Sequence, residues 1–62
     1  MSVNVTIQIQ DSGSAFDDNP HEEVARILKD LANSIRQGVE RTKLYDINGN
    51  VCGKVNMRIE ND

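Results

Sequence analysis

Leu44-Tyr45-Asp46-Ile47-Asn48-Gly49-Asn50-Val51-Cys52-Gly53 spells out a β-hairpin, and the other elements are placed relative to it. Asn48-Gly49 is a strong hairpin signal because both residues tolerate the positive φ that tight turns demand. Two registers fit these residues. A two-residue type I′ loop at Asn48-Gly49 puts Leu44 and Asp46 on one face with Val51, and Tyr45, Ile47 and Cys52 on the other. Alternatively, Asp46 opens a type I turn through Ile47 and Asn48, with Gly49 left-handed as a bulge residue. Tyr45 then joins Val51, and Leu44 joins Cys52. Aspartate is a preferred opener of type I turns and lies three residues before Gly49, which favours the longer loop.

Beyond the turn, Val51, Gly53, Val55, Met57 and Ile59 alternate with Cys52, Lys54, Asn56 and Arg58. A strand is expected there, with its odd-numbered side against a helix. Gly53 removes a side chain where Tyr45 or a helix residue can lie close. One or two apolar residues of the preceding strand stay outside beside Cys52, forming an apolar patch with a polar rim. The candidate partner or oligomer surface is therefore Leu44, Tyr45, Ile47, Cys52, Lys54 and Arg58, with Phe16 as a second possible anchor.

Upstream, Ser2 to Gln10 alternates strictly, with Val3, Val5, Ile7 and Ile9 on one side and Asn4, Thr6, Gln8 and Gln10 on the other. That is a half-buried strand rich in β-branched residues. Asp11 to Asn19 is a loop in which Phe16, the single phenylalanine, reads as a lid under the following helix. Asp17 and Asp18 complement that helix's positive end, since alternating EF-hand oxygen ligands are missing. Asn19, Pro20 and Glu22 mark the helix start as N-cap, first position and capping-box partner. Val24, Ile27, Leu28, Leu31 and Ile35 follow at helical spacing, widened by Ala25 and Ala32. Glu22 and Arg26 stand as an i,i+4 ion pair, and Gly38 is the left-handed stop.

These elements predict an α+β domain over residues 1–62. Its order is β-α-β-β, a three-stranded, mainly antiparallel sheet with one helix on one face. Strand one pairs either with strand three, in the order 1-3-2, or with strand two through a right-handed crossover. The first arrangement, fully antiparallel, is preferred.

A chain of 62 residues supports only a thin core, and such chains usually need a staple or a partner. One cysteine, Cys52, rules out an internal disulfide, and the lone His21 cannot build a zinc cluster. A homo-oligomer, a dimer above all, is the expected remedy. Ten acidic against seven basic residues give a net charge of −3 without a basic block, which makes nucleic acid an unfavoured partner. No charged leader region and no long apolar run are present, so a cytoplasmic protein with no membrane segment is expected.

Glu23-Val24-Ala25-Arg26-Ile27-Leu28, Leu31-Ala32, Gly38 and Asp46-Ile47-Asn48-Gly49-Asn50 with Gly53 resemble a group of short bacteriophage and prophage proteins. These share an E-V-A-R-I-L helix and a D-x-N-G-N-x-x-G hairpin. The resemblance spans roughly residues 15 to 53. It implies a phage origin, and no catalytic residues come with it.

The leading expectation is a non-enzymatic phage-type accessory protein, acting as a homo-oligomer on a host protein, with counter-defence among such roles. No cofactor is expected. A small-ligand, nucleotide-type binder is the alternative, with a pocket between subunits near Asn48, Asn50, Arg26 and Arg36. A weak nucleic-acid module using Arg41, Lys43, Lys54 and Arg58 is the third. No nucleophile has an evident base, and no two groups show the separated roles that acid-base catalysis needs.

Overall fold

The computed structural model describes residues 1–61. Strand β1 (Ser2–Ile9) leads through a short 3-10 turn (Ser14–Phe16) into helix α1 (Pro20–Arg36), and the hairpin strands β2 (Lys43–Tyr45) and β3 (Val51–Glu60) close the chain. The sheet order is β1-β3-β2, with both pairings antiparallel. The expected α+β architecture and the 1-3-2 strand order therefore hold.

The helix is bounded by the residues that mark it. Asn19 Oδ1 accepts the Glu22 N–H at 3.1 Å, and Pro20 occupies the first turn, where its missing N–H costs nothing. At the other end Gly38 takes φ +77°. The Gly38 N–H then bonds Ile35 O and the Val39 N–H bonds Ser34 O, both at 3.0 Å. This pair of bonds is the Schellman arrangement, which satisfies carbonyls that the helix end leaves open.

The hairpin adopts the three-residue loop. Gly49 donates to Asp46 O at 3.0 Å and Asp46 donates to Asn50 O at 2.9 Å, while Gly49 alone in the loop has positive φ, +83°. A type I′ turn would need Asn48 at positive φ as well. Tyr45 accordingly pairs with Val51.

The side of the sheet these residues occupy is the reverse of the expected one. Leu44 pairs with Gly53 but Tyr45 pairs with Val51, so Cys52 is an extra residue, a β-bulge that resets the alternation. Upstream of it Val51 and Tyr45 face outward, 56% and 46% exposed; Leu44 and Cys52 lie in the core, at 0% and 3%. Leu44 and Cys52 thus drop out of the candidate partner surface. From Gly53 onward the odd-numbered residues face the helix side, as the alternation requires.

The core is small: Ile27 and Leu31 from α1 meet Leu44, Cys52 and Val55 from the sheet, with Ile9 and Phe16 packed against them. All of these sheet residues lie at one end of the β1-β3 ladder, where Ile9 opposes Gly53. The opposite end continues past the helix as a two-stranded ribbon, and Val3, Val5, Ile7, Met57 and Ile59 on its helix-side face stay exposed. The molecule is correspondingly long, 44 × 20 × 17 Å.

Gly53 owes its identity to β1 rather than to Tyr45 or the helix. A Cβ there would lie 2.3 Å from the Gln8 carbonyl oxygen and 3.1 Å from Ile9 Cα, a backbone clash that no rotamer relieves. Gly53→Ala is expected to lower stability by about 2 kcal/mol, read as an earlier urea midpoint at unchanged slope. A midpoint equal to wild type would show that β1 moves aside freely.

Candidate functional site

The residues carrying chemistry gather where the first turns of α1 meet the hairpin loop. Glu23 is buried at 6% exposure, and its carboxylate has three partners. Oε1 accepts from Arg26 Nε at 2.7 Å, and Oε2 accepts from Arg26 Nη2 at 3.1 Å and from the Ile47 N–H at 2.8 Å. Arg26 also donates to Tyr45 O at 3.4 Å. The helix spacing explains the first two contacts, since residues three apart sit on one face. Arg26 therefore pairs with Glu23, not with Glu22 as the i,i+4 spacing suggested.

Asp46 completes the arrangement from inside the loop. At 5% exposure, its Oδ1 accepts from the Asn48 and Asn50 N–H groups, each at 2.9 Å. Every loop N–H from Ile47 to Asn50 thus has an acceptor: Glu23 for Ile47, Asp46 Oδ1 for Asn48 and Asn50, and Asp46 O for Gly49. The two buried carboxylates hold a loop in shape. Between them they accept from three loop N–H groups and from the Arg26 guanidinium rather than facing an open cleft.

The electrostatics agree with that role. The Arg26 guanidinium, with help from the Ile47 N–H, holds the Glu23 carboxyl below its ordinary value against the opposing effect of burial. Glu23 in turn raises the Arg26 value. Burial, reinforced by the charges of Asp46, Asp11 and Glu23, pushes the Cys52 thiol up. A buried thiol with a raised pKa carries little thiolate and is a poor nucleophile, and its burial keeps it from a second chain.

Other candidate residues are dispersed. Phe16 is half-buried against the core, in the lid position. Arg26 and Arg36 lie ten positions apart on α1, roughly 15 Å along its axis, so the nucleotide-type cluster around Asn48 and Asn50 does not assemble within one chain. Arg41 turns toward the helix, 2.8 Å from Asp30, away from the basic set proposed for nucleic acid, and Arg58 stands 3.7 Å from Glu60. Among the described residues no group of three or more His, Cys, Asp or Glu is placed to hold a metal ion. Nor, among those residues, is any helix long and apolar enough to cross a membrane.

What does stand exposed is the outer face of the hairpin. Tyr45, Ile47 and Val51 are 46%, 67% and 56% exposed, and Lys43 and Lys54 oppose each other on the same face. A shallow depression of about 430 Å³ adjoins them, bounded by Gln8, Gln10, Lys43 and Lys54. Three of the sequence candidates, Tyr45, Ile47 and Lys54, belong to this patch. Val51 was missed because the bulge beside it is invisible to simple alternation.

No family profile, curated protein or solved structure compared with the chain matches it.

The sign of the Glu23 effect sets a pH dependence. Its value in the folded protein lies below the ordinary 4.5, so the stabilisation is complete above that pH and is lost as pH falls through the folded-state value. Glu23→Gln is expected to be less stable than wild type near neutral pH, with the difference shrinking under acid conditions. Chemical denaturation across pH checks this, and a gap that does not change with pH would remove Glu23 ionisation from the account.

Proposed function

We propose that this protein is a non-enzymatic, phage-type accessory binding protein that acts as a homo-oligomer on a host protein. The observation that carries the reading is the exposed hairpin patch, where Tyr45 and Val51 on the paired strands and Ile47 in the loop between them stand in water, the loop being fixed by Glu23 and Asp46. A pre-shaped loop loses little entropy on binding, and an aromatic anchor with apolar neighbours inside a polar rim is the usual composition of an energetic centre. Lys43 and Lys54 at the rim suit a partner with an apolar contact surrounded by acidic groups.

The buried ionisable groups support a binding role over a catalytic one. Glu23, Asp46 and Cys52 are the residues whose burial would suit chemistry, and each is occupied with loop or core structure. The E-V-A-R-I-L and D-x-N-G-N-x-x-G segments have the same explanation: Glu23 from one accepts the Ile47 N–H of the other, and Arg26 reaches the carbonyl of Tyr45 just before it.

Affinity capture from bacterial lysate with wild type and a Tyr45→Ser, Ile47→Ser double variant tests the reading. Both side chains are exposed, so the variant is expected to keep its circular dichroism and denaturation midpoint within about 0.5 kcal/mol. It is also expected to lose the captured partner, with affinity for the purified partner weakened by tenfold or more. Identical capture by both proteins would overturn the assignment of this patch.

A further inference from the structure

We propose that β1 is a self-pairing edge. Two copies of the chain join β1 to β1 antiparallel about a two-fold axis at Thr6, making one six-stranded sheet with both helices on the same side. This rests on the reading of the chain as a homo-oligomeric binding protein and adds the element and register through which it assembles.

The first observation is an edge without protection. β1 has β3 on one side only, and natural sheets blunt such edges with lysine, proline, bulges or short strands. From Ser2 to Gln10 there is no charged residue and no proline, and the pairing with β3 runs without a break from Ser2 to Ile9. The other edge, β2, is three residues long and begins with a lysine.

The second is the direction of its hydrogen-bonding groups. Gln10 donates to Cys52 O at 2.9 Å, so the alternation of the strand turns the backbone groups of Ile9, Ile7, Val5 and Val3 toward the open edge. Full overlap of the uncharged segment 2–10 with its own copy centres on Thr6. Val5 then pairs with the second copy's Ile7, and Val3 with its Ile9, using those outward groups. The same parity keeps every apolar side chain on the helix side.

The third is surface area. The chain exposes 4908 Å², whereas a folded monomer of 6.9 kDa is expected to expose roughly 4,000 Å². The surplus, roughly 900 Å², compares with the ~800 Å² that each partner contributes to a standard interface. Its radius of gyration, 12.9 Å, likewise exceeds the roughly 10.6 Å of a compact domain of this length. Antiparallel pairing sets the bare end of each ribbon level with the helix-bearing end of the other. Val3 and Val5 thereby stand beside the second copy's Ile9 and Ile7 on one continuous sheet face. A second copy fits this edge better than a foreign strand, because the register that overlaps the uncharged segment 2–10 with itself also sets both apolar faces on the helix side.

Sedimentation of the full chain across concentration tests the proposal with Thr6→Lys, Thr6→Glu and their mixture. Thr6 is exposed on the polar face, and the axis places it opposite itself with the side chains close. Wild type is expected at twice the chain mass. Each variant alone is expected to need about fivefold more protein to dimerise, and the mixture to recover wild-type association. Amide exchange on wild type gives a second measure, with protection of Val5 and Ile7 rising with concentration. Wild type at the chain mass throughout overturns self-association. A dimer unmoved by charge at Thr6, without that protection, overturns β1 pairing. Neither outcome touches the hairpin patch, whose partner binding is read separately.

Discussion

The fold depends on one carboxylate reaching between elements that are distant in sequence. Glu23 takes the Ile47 N–H while Arg26 grips both of its oxygens and touches Tyr45 O. Besides these polar contacts, α1 and the hairpin are joined by the small cluster of Ile27, Leu31, Leu44, Cys52 and Val55. Apolar contacts are non-directional, and a core this small can be formed with the helix rotated or shifted by a turn. Hydrogen bonds to a particular backbone N–H admit far less freedom. Asp46 does for the loop what Glu23 does for the interface: it converts a flexible connection into a fixed shape.

Much of this was legible in the residues. Asn19, Pro20 and Gly38 bounded the helix, since caps act through local geometry that sequence specifies directly. Asp46 and Gly49 selected the loop for the same reason. The strand order followed from preferring an all-antiparallel sheet. Glu23 was not recognised as the tether, because its partner is a main-chain N–H 24 positions away and no residue type advertises that. Cys52 and Leu44 were placed on the wrong side although the register was right. A bulge inserts one residue into a ladder without any obligatory signature, and the alternation rule carries the error to every residue before it.

The sheet and its helix are unequal in reach. Seventeen residues of helix span roughly 25 Å, yet α1 covers only the hairpin end of the ladder and leaves the ribbon's apolar face open. Part of the helix's own stripe stays open as well, with Leu28 and Ile35 at 39% and 38%. A groove of about 120 Å³ between Leu31, Ile35, Val39, Val55 and Met57 links these exposed residues to the core. The apolar surface on the helix side of the sheet thus extends beyond the section that the core covers.

The bulge at Cys52 divides β3 into two segments whose facing is set independently. On the Val51 side the strand shows its odd residue to solvent; on the Val55 side it shows the odd residue to the core. Surface at the hairpin and surface along the ribbon are therefore uncoupled in sequence, although they share a strand. Residues at Tyr45, Ile47 and Val51 can diversify without disturbing the alternation that organises Gly53 to Ile59. A single ten-residue strand thereby serves two faces, turning Val51 to solvent on one side of the bulge and Val55 to the core on the other.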